Sequence, residues 1–253
     1  MRSYISVLST SEYLPGALVL DKCLKLTKTK YPLSILTTPN IEEIAISILE
    51  KSNVNIIKTN NLFLENHEID KWYYTFSKLN IFSLTQFEKI VFIDLDTVVT
   101  ENIDDLFEKK HFSSVNSGGF IHKDWIDLNS GLIVIEPSRE VYNKLIDIML
   151  DGTNYSGDQD VLHKYYRNWS KDKELNLGYQ YNMFVCHIPI ALKELNFKAI
   201  DNIDEINDKP KNLNNIKIFH YIYPKPWNLC LENNPYYKLW YEIYRNVDIL
   251  AIK

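Results

Sequence analysis

Cysteine is scarce in this chain. Only Cys23, Cys186 and Cys230 occur, an odd and scattered set, which excludes a disulfide framework and a cysteine zinc site. Long apolar runs are missing too, so no stretch is expected to span a bilayer. The opening residues, Met1-Arg-Ser-Tyr-Ile-Ser-Val-Leu-Ser9, enter strand-like sequence directly and lack the apolar core of a signal peptide. A cytoplasmic protein without membrane contact is the expectation, host cytoplasm if the Asn-, Lys- and Ile-rich composition reflects a virus. The sequons Asn154-Tyr-Ser156 and Asn168-Trp-Ser170 then read as chance matches. Excess positive charge is absent as well: 28 basic against 33 acidic residues give a net charge of −5. Without a basic stripe, nucleic-acid binding is not the expected role. An anionic ligand remains compatible if a metal and a few lysines neutralise it locally.

What is present suffices for a large core. Of 253 residues, 45% are apolar and 13% aromatic, enough for one α/β domain. Tyr4–Ser9 reads as a strand, and Leu14–Leu26 as a helix with Pro15 in its first turn. Leu33–Leu36, Ile41–Leu49 and Ile56-Ile57 continue the alternation strand, helix, strand, the pattern of a parallel sheet with helices on its faces. Asn60–Lys71 reads as loop and Thr75–Phe87 as helix. Further strands are expected at Ile90–Ile93, Leu132–Ile135 and Ile216–Phe219. Further helices are expected at Val141–Leu150, at Asp158–Tyr166 and from Pro235 to about residue 250. The last carries an aromatic face for the sheet or for a dimer partner. Asn202–Asn215 reads as a mobile polar loop.

The most informative stretch is Lys89-Ile-Val-Phe-Ile-Asp-Leu-Asp-Thr97. An apolar run suited to a strand buried on both faces delivers Asp94 and Asp96 to its C-terminal end. Open α/β sheets bind ligands there. In an extended strand alternate side chains point the same way, so the two carboxylates can share a hard divalent cation, which also takes phosphate oxygens.

Other segments join this one in order. They are Lys78-Leu-Asn-Ile-Phe-Ser-Leu-Thr-Gln86, Asn102-Ile-Asp-Asp-Leu-Phe107, Leu128-Asn-Ser-Gly131, Gly157-Asp-Gln159 and His220-Tyr-Ile-Tyr-Pro-Lys-Pro-Trp227. From about Tyr4 to about Asn228 the chain resembles the family 8 glycosyltransferases, above all their glycogenin branch. The resemblance implies a single-domain Rossmann-like fold over residues 1–253, of the glycosyltransferase A type, with a mostly parallel central sheet and helices on both faces. It implies a UDP-sugar donor, UDP-glucose first, and transfer with retention of configuration. It also implies Mn²⁺, with Mg²⁺ as the alternative, held by Asp94, Asp96 and His220. An imidazole beside carboxylates suits Mn²⁺ better than Mg²⁺.

The same resemblance places donor contacts on Leu8, Thr10 and Tyr13 for uracil and ribose, and on Leu95 between the two aspartates. Lys78 and Lys225 fall at the diphosphate, Asn129 and Ser130 at the sugar hydroxyls. Asp158 and Gln159 fall beside the anomeric carbon, with Lys78 counted among the catalytic groups. Retention leaves two routes open, Asp158 as nucleophile or Asp158 as stabiliser of positive charge. An N-cap role competes for Asp158, and an exposed-helix role for Lys78.

The chain departs from the glycogenin pattern where self-glucosylation would occur. Tyr181-Asn-Met183 matches, but an ungapped alignment puts Pro189 and Ala191 on the two tyrosines downstream. A separate saccharide or protein acceptor is therefore expected. Two other classes fit parts of the sequence. A haloacid-dehalogenase-like phosphatase fits Asp94-Leu-Asp-Thr-Val-Val99, but such enzymes usually open with that motif, and Leu162 stands where their later aspartate is needed. A non-catalytic sugar-nucleotide-binding protein is the other.

Overall fold

The computed structural model describes residues 1–64, 73–195 and 216–247. The expected loop at 202–215 and residues 65–71 of the loop before it lie outside the described residues.

A six-stranded sheet has the order β3-β2-β1-β4-β7-β6. Its strands are β1 Arg2–Leu8, β2 Leu33–Thr37, β3 Asn55–Lys58, β4 Lys89–Ile93, β6 Ser113–Asn116 and β7 Leu128–Ile135. β3, β2, β1 and β4 run parallel, while β7 and β6 pair antiparallel. Alternation puts Tyr4, Leu8, Val91, Ile93, Leu132 and Val134 into one core cluster. Ile5, Ile90, Phe92, Ile133 and Ile135 enter the other. Both faces of the sheet are thus buried, as the uninterrupted apolar runs require. α1 (Leu14–Leu26) and α2 (Glu43–Lys51) follow their strands, and α3 (Arg139–Met149) and α4 (Asp158–Tyr165) follow β7. No helix among the described residues is long and apolar enough to cross a membrane.

Several expectations are corrected. The helix expected at Thr75–Phe87 is a 3₁₀ segment, Tyr73–Ser83. Phe76, Leu79 and Phe82, all fully buried, recur every third residue and eclipse one another on a three-residue turn. The strand expected at Leu132 begins at Leu128, so Asn129, Ser130 and Gly131 lie within it. The late strand is Ile218–His220, called β9 here. With β5 (Thr97–Val99) and β8 (Met183–Phe184) it forms a second sheet, order β5-β9-β8. Strands of two or three residues carry too little periodicity to read from sequence. α5 is Ile188–Glu194, and α6 is Pro235–Arg245. α6 buries Tyr237 and Trp240 and packs against α1 rather than the sheet.

Candidate active site

The carboxylate pair is gathered by a bend, not by an extended strand. β4 stops at Ile93, the chain turns at Leu95-Asp96, and β5 leaves for the second sheet. The Asp94 N–H donates to the Gly131 carbonyl at 2.9 Å, and the Thr97 hydroxyl donates to the Asp94 carbonyl at 2.8 Å. The second sheet brings the imidazole. Thr97 pairs with His220 across β5 and β9, and the Tyr221 N–H donates to the Asp96 carbonyl at 2.8 Å. His220 Nε2 then stands 3.1 Å from Asp96 Oδ1 and 3.9 Å from Asp94 Oδ2. One ligand atom from each of the three lies within 4.8 Å of the others.

Two lysines reach this group from opposite sides. Lys78 is only 7% exposed, so it is no solvated helix lysine. Its ammonium lies 3.1 Å from Asp94 Oδ1 and 3.3 Å from Asp158 Oδ2. It also donates to the Ser130 carbonyl and hydroxyl, each at 3.2 Å, and sits 4.9 Å above the Phe92 ring. Burial opposes its charge, but Asp158 and Asp94 outweigh burial and raise its pKa. Lys225 pairs with Asp96 Oδ2 and stands 5.5 Å over the Tyr13 ring. Burial would raise the Asp96 carboxyl, yet His220 and Lys225 hold it well below the usual range. Asp94 shifts the other way. Burial, aided by the charge of Asp96, raises it against the pull of Lys78.

A chain of amides fixes the imidazole. The Gly131 N–H donates to Asn129 Oδ1 at 2.9 Å, and a backbone N–H can only donate, so that atom is the oxygen. Asn129 Oδ1 also accepts from Asn182 Nδ2 at 2.8 Å, which turns Asn182 Oδ1 toward His220 Nδ1, also 2.8 Å away. Nδ1 therefore carries the proton. Nε2 then faces Asp96 Oδ1, and two lone pairs at 3.1 Å require a cation between them, a proton or a metal ion. The donor set fits a divalent cation on this ground. At the other end Gln159 Oε1 accepts from the Ser130 N–H at 3.0 Å and from Asn129 Nδ2 at 3.2 Å. The group left on Gln159 for a ligand is its NH₂. Gly131 has its own reason. A Cβ there would lie 2.5 Å from the His220 ring, so its role is to admit the imidazole, not only a donor.

A cavity of about 470 Å³ opens over these groups. Thr10, Tyr13, Lys78, Asp94, Leu95, Asp96, Asn129, Ser130, Asp158, Gln159, His220 and Lys225 all line it. Leu8 does not: its side chain is fully buried in the core, and its neighbours Val7 and Ser9 reach the cavity instead. The alternation of β1 would have shown this had its register been known. The buried Thr10 hydroxyl has no hydrogen-bond partner among the described residues, as suits a group meant for a ligand. Gly157 is the N-cap of α4 and Asp158 its first residue, so the N-cap reading of Asp158 is corrected. Sequence reasoning missed Asn182, Thr75, Phe184 and Ile222. Asn182 was visible only as part of Tyr181-Asn-Met183.

A parallel-to-antiparallel sheet with paired carboxylates at the end of its central strand defines the glycosyltransferase A class. An active-site mutant of LgtC superposes with a TM-score of 0.69 at 13% identity, each chain covering 100% of the other, and this likeness concerns the fold. Sequence narrows the class. The description Glycosyl transferase family 8 matches residues 4–118. Glycogenin-1 of Oryctolagus cuniculus is 32% identical over 244 residues, 91% of this chain and 67% of that protein. Glycogenin-1 of Homo sapiens is 32% identical over 194 residues, 72% of this chain and 53% of that protein. The chain thus spans from about half to two thirds of these relatives. It belongs to glycosyltransferase family 8.

Proposed function

We propose that this glycosyltransferase moves a hexose or pentose, glucose first, from a UDP-sugar to a hydroxyl of a separate acceptor, with Mn²⁺ and with retention. One observation carries this reading: Asp94, Asp96 and His220 converge in the cavity that Lys78 and Lys225 flank. When bound by these three residues, the ion would offset negative charge on the departing UDP. Thr10 and Tyr13 bind the nucleoside end. Lys225, which pairs with Asp96 here, would hold a phosphate oxygen as a point charge. Lys78 pairs with Asp94 and Asp158, and Asp158 presents its carboxylate to the anomeric carbon as positive charge develops there. The Gln159 NH₂ and the Ser130 hydroxyl orient the sugar.

The chain acts as one domain over residues 1–253, in the cytoplasm. Self-glucosylation as in glycogenin is not proposed. Pro189 lies in the first turn of α5 and Ala191 is buried in it, and neither side chain has a hydroxyl. The test is incubation with Mn²⁺ and a panel of UDP-sugars, measuring UDP release and the intact mass of the protein. Metal-dependent UDP release with unchanged mass is expected. Full activity after chelation would sink the metal reading, and stoichiometric hexose on this chain would sink the separate acceptor.

A further inference from the structure

A row of rings leads out of the cavity. Phe184 lines the cavity and lies edge-on to His220 at 5.1 Å between centroids. His187 follows at 5.2 Å from Phe184, and Trp125 stacks on His187 at 6.4 Å. Phe120 backs this row, meeting His187 at 6.3 Å and Tyr179 at 4.6 Å. The row therefore runs in three ring-to-ring steps from the candidate metal ligands to the surface, where Trp125 is 47% exposed and its neighbour Ile126 48%.

The outer end is a built structure. The Gly118 N–H donates to the Trp125 carbonyl at 3.1 Å, and the Ser117 N–H to the Asp127 carbonyl at 2.9 Å. Gly118 has φ +141°, and a Cβ on it would stand 3.5 Å from the indole and 3.9 Å from His187. The glycine thus lets both rings lie close across the backbone. A large aromatic side chain half in water costs solvation, and contiguous exposed apolar surface marks a binding site.

The chemistry of the row selects its occupant. Burial lowers the His187 pKa, so its ring is neutral at pH 7 and offers one donor and one acceptor. No charged side chain lies within the row itself. His122, Lys123, Asp124 and Asp127 are exposed in the loop that carries Trp125, and they supply hydrogen-bonding groups of both kinds. Flat uncharged rings with polar groups at their margin match a pyranose, whose C–H faces are apolar and whose edge is all hydroxyl. A peptide acceptor would need backbone partners such as a free strand edge, and the edge at the row, β8 with Phe184, is only two residues long.

We propose that Phe184, His187 and Trp125 form an acceptor subsite for a neutral oligosaccharide, with its terminal hydroxyl end at Phe184 and its further residues toward Trp125. This deepens the transferase reading and rests on it for the direction of the chain. The experiment measures binding of the full-length protein, with Mn²⁺ and UDP, to an array of neutral and anionic oligosaccharides. The strongest binder is then titrated against wild type, Trp125→Ala and Trp125→Phe. Neutral glycans are expected to bind, about tenfold more weakly to Trp125→Ala, with Trp125→Phe in between. Donor hydrolysis without acceptor should match wild type in both variants, which also shows that they fold. Absence of any neutral binder, a preference for anionic glycans, or equal affinity in Trp125→Ala would overturn the subsite. Failure of wild type to release UDP from any UDP-sugar would sink the transferase reading instead, while the array still reads the subsite.

Discussion

Asn182 acts on the candidate metal ligands only through the ring it orients. Its oxygen selects the Nδ1–H form of His220 and so leaves Nε2 bare. Asn182→Ala should weaken Mn²⁺ binding by about 10- to 100-fold, read by electron paramagnetic resonance of free Mn²⁺, with little change in chelator-treated Tm. An unchanged affinity would show that the tautomer needs no such partner. The two aspartates should part company in stability. Asp96 has a lowered pKa, so its contribution is present above the unfolded value of 3.8 and is lost as pH falls through its folded value. Asp94 has a raised pKa, so its contribution is present only at low pH and is lost as pH rises. In chelator at pH 7, Asp96→Asn should therefore lower Tm and Asp94→Asn should hold or raise it, while both abolish transfer. The gap should narrow in melts below about pH 4. The sequence showed which residues meet at the site because its motifs are local and ordered. It did not show that Ser130 and Asn129 spend hydrogen bonds on Lys78 and Gln159, because those partners come from the 3₁₀ segment and α4, remote in sequence.

Elements, rather than residues, set the spacing of the carboxylates. The bend at Leu95-Asp96 is pressed from below by α1, where a Cβ on Gly16 would overlap the Leu95 carbonyl oxygen and its neighbouring carbon at 3.1 Å. Gly16→Ala should cost about 1–3 kcal/mol by overpacking, seen as a lower Tm. It should also raise the donor KM, since relief is available only by moving the bend. Unchanged Tm and KM would show that α1 slides freely under the bend. The long elements were legible: β1, α1, β2, α2, β4 and α3 each carry a clear period or apolar run. The second sheet was not, and with it went the reason His220 faces Asp96. A three-residue strand has no pattern of its own and exists through its partners.

Across the whole molecule, the last helix supports the first. α6 lays Trp240 against Trp227, 6.0 Å between centroids, and Trp227 in turn meets Tyr13 at 5.0 Å. Tyr237 and Tyr241 donate to the Pro224 and Pro226 carbonyls at 3.1 and 2.6 Å, which brackets Lys225. These hydroxyls are thus engaged as donors. Trp240→Ala should cost about 3–5 kcal/mol and raise the donor KM more than a surface change of equal stability cost. Calorimetry beside donor kinetics separates the two. The aromatic face of this helix was plain in the sequence, but its target, α1 and the Lys225 turn, was not.

The contact between the two ends has a consequence for synthesis. Asn228 reaches Glu12 across 216 positions at 2.8 Å, and a chain leaving the ribosome forms its early strands first. The growing polypeptide holds both aspartates and Lys78 long before His220, Lys225 or Trp240 exist. Until then the α1 surface that α6 will cover stays bare, and closing so long a loop is slow. The site is therefore assembled only after the chain has been made out to Trp240, long after both aspartates have emerged.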